Sequence, residues 1–143
     1  MKKFELTNDT KIVFGKKLFR IKALISFGNV EAGELGGYVE KEENLSHNDN
    51  AWIYGNAEVY GNAEVYDNAE VYDNDDYTCI KGFGIEYRNT TFYRQKDGSI
   101  GVKCGCFSGN LDEFRKQVKD TRTGKVAKEY LMIADLMEYH FEK

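Results

Sequence analysis

Proline is absent from this 143-residue chain, while tryptophan occurs once, histidine twice and cysteine three times. Without proline, chain reversals fall to the 14 glycines and to Asn and Asp, the other residues that tolerate positive φ. An odd number of cysteines argues against a disulfide framework. Cys104-Gly105-Cys106 with the distant Cys79 is an incomplete zinc set, so buried strand thiols are the better reading, and neither metal nor cofactor is expected. No apolar run approaches the roughly 18 residues of a bilayer span, so no membrane partner is expected. The Met-Lys-Lys start leads into charged, alternating sequence rather than the apolar core of a secretion signal, which points to the cytoplasm.

Basic residues are also missing from one long stretch. Residues 42–80 hold ten Asp or Glu and no Lys or Arg, between a first section (1–41) and a last section (81–143) that each carry a net charge of +3. An acidic block of this kind repels phosphates and excludes direct nucleic-acid binding by that region. It fits a solvated surface or a face that meets a basic partner.

What fills the acidic block is a repeat. Residues 51–74 read AWIYGNAEVYGNAEVYDNAEVYDN, a hexad of aliphatic residue, Tyr, Gly or Asp, Asn, Ala and a variable residue. Ile53, Val59, Val65 and Val71 hold the aliphatic position, and with the alanines they form the expected interior. Tyr54, Tyr60, Tyr66 and Tyr72 follow and must point outward, since side chains alternate along a strand. A strict hexad predicts a short left-handed parallel β-helix of about two coils, residues 18 apart stacking on one another. Traced backwards, the phase puts Leu35, Lys41 and His47 at the aliphatic position and turns Val39, Leu45 and Ala51 inward. His47 then stands at a loosened coil edge, the alternative being a catalytic imidazole. Two coils bury too little to stand alone, so end modules or an oligomer must supply core.

The chain divides on this reading into an N-terminal β cap (1–34), the repeat body (35–76) and a C-terminal α+β module (77–143). In the cap, 2–6, 11–14 and 18–24 read as strands. In the module, Thr90 to Arg94 and Ile100 to Cys104 read as a hairpin about the turn 96–99. Asn110 with Glu113 has capping-box spacing for a helix ending near Thr121. A longer helix follows from Lys125 to Phe141, with Val126, Tyr130, Ile133 and Met137 at helical spacing. Arg88, Phe92, Tyr93, Arg94 and Lys103 interleave bases with aromatics and are the candidate ligand-binding set. Glu64 and Glu70, with the four tyrosines, are the candidate oligomer or partner surface.

The hexads Val59 to Glu64 and their neighbours resemble the left-handed β-helix hexapeptide-repeat family, whose best-known enzymes are trimeric acyltransferases using acyl-CoA. The segments 18–24 and 36–40, the Tyr-Gly-Asn-Ala repeats, and the tail pattern from Thr91 through 105–109 to Phe114 are similar to a group of short phage- and prophage-encoded proteins. That resemblance implies a homo-oligomer, a trimer at first guess, in the cytoplasm of an infected bacterium. The expected function is a non-enzymatic binding protein that inhibits a host antiviral defence by sequestering a nucleotide signal or blocking a host protein. Acyl transfer is the alternative, although the clean hexads hold no histidine and no inserted loop. A structural virion accessory is the third reading.

Overall fold

The computed structural model describes residues 2–84 and 88–142. Its longest strands lie at the two ends of the chain, not in the repeats. Strands β1 (Phe4–Val13) and β2 (Lys16–Ala23) form an antiparallel hairpin, and β3 (Leu35–Val39) adds antiparallel to β2. The hexads contribute three strands of two residues each, β4 (Trp52–Ile53), β5 (Glu58–Val59) and β6 (Glu70–Val71). Then come β7 (Tyr77–Phe83), β8 (Arg88–Arg94), β9 (Ile100–Cys104) and β10 (Phe107–Asn110) in one wholly antiparallel sheet. Helices α1 (Leu111–Thr121) and α2 (Gly124–His140) close the chain.

This corrects the expected architecture. The short left-handed parallel β-helix is not the fold; the fold is a set of mixed sheets in which antiparallel pairing dominates, with two helices. Among the described residues, parallel pairing is confined to β3 with β5, β4 with β6, and a bridge between Leu45 and Val65. The cause is local. A hexad supplies at most two residues of strand before a Gly, Asp or Asn corner, whereas β1, β2, β7 and β8 run seven to ten residues and carry the long ladders. The backward phase is corrected too. Trp52 pairs with Glu70 at a spacing of 18, but Val39 pairs with Val59 and Leu45 with Val65 at 20. Two extra residues therefore sit in the corner 46–50. They carry His47 out of the aliphatic position and leave Leu35 exposed, while Val39 and Leu45 enter the core.

The core has two parts. One gathers the interior of the repeats, where Ile53, Val59, Val65 and Val71 are all fully buried together with Trp52, and extends to Phe4, Ile21 and Tyr93. Burying one such side chain is worth roughly 1.5–3 kcal/mol, so these residues dominate the stability of the repeat segment. The other lies between the C-terminal sheet and the helices, around Phe92, Val102, Phe114, Tyr130 and Met137. Strand β8 joins them: consecutive side chains on a strand face opposite ways, so Phe92 enters one core and Tyr93 the other. Helix α1 starts at Asn110, whose side chain accepts from the Glu113 amide while the Glu113 carboxylate accepts from the Asn110 amide. Among the described residues no helix is long and apolar enough to cross a membrane.

Candidate functional site

An opening lies beside the repeats, where the corner following β3 approaches the hexads. Two adjoining hollows, of about 660 and 430 Å³, share Glu43 and Glu64 and form one open cleft. Lys2, Glu42, Ser46, His47 and Tyr66 line the larger half. Lys41, Asn62, Arg88 and Asn89 line the smaller.

A 3₁₀ turn at Glu42–Asn44 sets the position of the acidic side chains. Its anchor is Asn44, fully buried, whose side-chain oxygen accepts from the Glu40 and Lys41 amides at 3.1 and 3.0 Å. The Asn44 amide group donates to the carbonyls of Gly61 and Ala63, which ties the turn to the neighbouring hexads. A carboxamide is the one side chain of this length that both accepts and donates there. On the other wall, the Glu64 amide donates to Thr91 Oγ1 of β8 at 3.0 Å. Glu43 and Glu64 thus project from backbone fixed by buried hydrogen bonds.

The carboxylates differ in engagement. Glu42 is paired with Lys2 at 3.2 Å and faces His47 Nε2 at 3.2 Å. Among the described residues, Glu43 and Glu64 make no ion pair. Tyr66, next to Glu64, has its phenol pushed above its ordinary range by burial, and by the nearby Glu64 and Asp49 charges. Lys103 lies over the Tyr66 ring at 4.9 Å and donates to the Gly105 carbonyl. The arrangement can accept basic side chains: carboxylates on a stable floor, with an aromatic ring beside them that already holds one cation.

His47 is built into the fold. Its Nδ1 accepts from the Lys3 amide at 3.0 Å, which leaves the proton on Nε2 to donate to Glu42, and its ring stacks on Phe4 at 4.2 Å. Both ring nitrogens have protein partners, so the imidazole orients the corner 46–50 against β1.

The candidate ligand-binding set is not brought together. Phe92 and Tyr93 are fully buried, on opposite faces of β8. The Tyr93 hydroxyl donates to Asp67 Oδ2 at 2.6 Å, and burial and then that carboxylate push its phenol up. Arg94 donates to Asp76 Oδ1 at 3.0 Å and to the Phe141 carbonyl at 3.0 Å, with its guanidinium over the Phe141 ring. Lys103 is on Tyr66. Arg88 alone of the five lines an opening: one wall of the cleft and a separate hollow among Cys104, Phe107, Phe114 and Tyr130. That hollow is about 130 Å³, well below the roughly 300–1,000 Å³ of small-molecule sites.

Of the candidate oligomer surface, Tyr54 stacks on Tyr72 at 4.4 Å, and burial, with Glu70 and Tyr72 nearby, pushes the Tyr54 phenol up to about 12. Tyr60 and Tyr66 are half-buried, as are Glu64 and Glu70; Tyr72 is exposed. Cys79 and Cys104 approach the Thr91 and Thr90 hydroxyls, Cys106 is exposed, and all three are free thiols. Among the described residues, Asp73, Asp75 and Asp76 cluster at metal-ligand spacing, but Asp76 already accepts from Arg94 and from the Tyr72 and Asp73 amides.

Sequence reasoning named Glu64 and missed Glu43, the other carboxylate shared by the two hollows. The acidic run 42–80 was the available signal; its convergence on a cleft needs the turn at Asn44, which no local pattern announces. No protein-family model matches the chain, and no curated protein matches it.

Proposed function

We propose that this chain is a non-catalytic binding protein that holds a basic segment of a partner protein in the cleft between Glu43 and Glu64. The observation that carries the reading is the pair of carboxylates without an ion pair among the described residues, on an open floor fixed by Asn44 and Thr91. An open, shallow cleft suits an extended chain rather than a small molecule, which binds best where most of its surface is enclosed. Carboxylates on the floor also oppose phosphate groups, so blocking of a protein is favoured over sequestration of a nucleotide signal. In this proposal the setting is an infected bacterial cytoplasm and the partner a host defence protein with a basic, nucleic-acid-facing surface. The phage setting rests on the resemblance alone, carried by segments 18–24 and 36–40, the repeats and the tail pattern from Thr91 to Phe114.

Binding to an arginine-rich synthetic peptide, measured by titration calorimetry over a range of salt, tests the reading. The wild-type chain is expected to bind with affinity that falls as salt rises. The double variant Glu43→Lys/Glu64→Lys, folded by circular dichroism, is expected to lose about tenfold or more, since each exposed pair is worth roughly 0.2–1 kcal/mol and reversal adds repulsion. Binding of cyclic or linear nucleotides that survives this double variant and is lost in Arg88→Ala would overturn the proposal in favour of sequestration.

A further inference from the structure

The two helices differ on their outer sides. Helix α1 buries Leu111, Phe114 and Val118 and exposes Asp112, Lys116, Lys119 and Asp120, the usual pattern for a helix on a solvated surface. Helix α2 buries Tyr130, Ile133, Ala134 and Met137 on its inner side but carries Met132, Leu136 and Tyr139 on its outer side, 62%, 57% and 77% exposed. Those three recur at steps of four and three and so form one stripe. A helix apolar on both sides is normally buried on both sides, and among the described residues nothing covers the second.

We infer that a second copy of the chain covers it, with the two α2 helices packed antiparallel about a two-fold axis beside Leu136. The stripe is self-complementary in charge along its flanks. Antiparallel packing that sets Met132 of one copy against Tyr139 of the other places Leu136 near its own symmetry mate. At a rise of 1.5 Å per residue, the same register brings Lys128 to the Glu142 end of the facing helix along one flank. Along the other flank it brings Glu129 to His140. Asp135, which falls near its own counterpart, is already paired with Arg115 at 3.0 Å. Antiparallel alignment also places each helix's positive N-terminal end beside the negative C-terminal end of its mate. Parallel packing offers neither the Lys128–Glu142 nor the Glu129–His140 pairing, since it sets each residue level with its own number and leaves those partners on the order of 15–20 Å apart along the axis. A closed two-fold contact of this type gives a dimer rather than the trimer that the resemblance implies.

Sedimentation velocity of the full chain over a wide concentration range reads the result. The wild type is expected to be a dimer at high micromolar concentration. Leu136→Glu is expected to be a folded monomer, its dissociation constant raised by tenfold or more as for a central interface residue. Lys128→Glu weakens the dimer, and Lys128→Glu/Glu142→Lys restores it, a rescue that only the antiparallel register provides. A wild-type monomer, an oligomer indifferent to Leu136→Glu, or a charge-swapped double variant weaker than either single one would each overturn the inference.

Discussion

The two ends of the repeat segment are fastened in different ways. On the N-terminal side, cations reach into its backbone. Lys3, almost wholly buried, donates to the carbonyls of Asp49 and Ala51 at 3.0 and 2.6 Å. Arg20 of β2 donates to the carbonyls of Gly36 and Gly55, to Tyr38 and Asn56 side-chain oxygens, and to Asp9. On the C-terminal side the repeats supply carboxylates instead. Asp67 accepts from the hydroxyls of Tyr93 and Ser108, and Asp76 accepts from Arg94. The consequence is visible in the hexads themselves. Gly55 and Gly61 turn their corners at φ +59° and +70°, where glycine is free of penalty, and Asp67 turns its corner at +60°. That conformation costs a residue with a side chain about 1–2 kcal/mol, offset here by the bonds to β8 and β10. Contacts to backbone leave no mark on the repeat sequence, whereas contacts to side chains change it.

Breaking the C-terminal fastening at its most buried pair should have the largest effect. Arg94→Ala leaves the Asp76 carboxylate in a nearly buried site with only amide partners, and is expected to cost about 3–5 kcal/mol, read as a fall in the urea midpoint at constant slope. Next comes Arg20→Ala, which removes donors from several acceptors on the N-terminal side at once and is expected to cost about 2–4 kcal/mol by the same measurement. Tyr93→Phe keeps the packing and removes one bond to a carboxylate, worth about 1.5–3 kcal/mol.

Two further effects are pH-dependent and of opposite origin at the two ends. Burial opposes ionisation of Asp76, but Arg94 and the Tyr72 and Asp73 amides outweigh it and hold the carboxyl below its ordinary 3.8. Its contribution is therefore complete above pH 3.8 and lost as pH falls through the lower folded value, so wild type and Asp76→Asn should converge in stability under strong acid. For Lys3, burial outweighs Asp49 and pulls the ammonium down from 10.5 to about 8. On this group the unfolded chain then holds more protons between those values, so Lys3 adds stability as pH climbs from 8 to 10.5, read as the difference between wild type and Lys3→Met, while the raised tyrosine phenols act with the opposite sign in both.

How far the sequence could be read follows from the same contrast. The burial of Ile53, Val59, Val65 and Val71 was legible because the six-residue period is local and uninterrupted. So were the capping box at Asn110 and the split of Phe92 and Tyr93 to opposite faces. The hairpin of 90–94 with 100–104 was legible as well and stands as β8 and β9; that long antiparallel ladders would dominate over the parallel pairing of the repeats was not, because the periodicity of a two-residue strand says nothing about what the longer neighbours do. The two additional residues at 46–50 were hidden by a corner without repeats, and with them the structural part of His47. Lys3 and Arg20 were illegible as fasteners, since their acceptors are carbonyls 16 to 48 residues away. The basic and aromatic cluster at 88–103 read as a ligand patch because composition shows which side chains are present and not which are already paired. The cleft needed three distant segments, 41–48, 62–66 and 88–89, to meet.

Native-state hydrogen exchange on the variant Asp67→Gly/Asp76→Asn addresses the contrast between the two ends most directly. Both substitutions keep the corners compatible with their backbone and remove the negative charges that the C-terminal sheet reads, while the Asn carboxamide oxygen can still accept from the Tyr72 and Asp73 amides. Protection of amides in β8, β9, α1 and α2 should fall while that of β1, β2 and β3 stays at its wild-type level, because the N-terminal fastening runs through backbone carbonyls that the variant retains. An equal loss of protection at both ends would contradict the account, since it would mean that the two ends open together and that the side-chain contacts at Asp67 and Asp76 do not fasten one of them in particular.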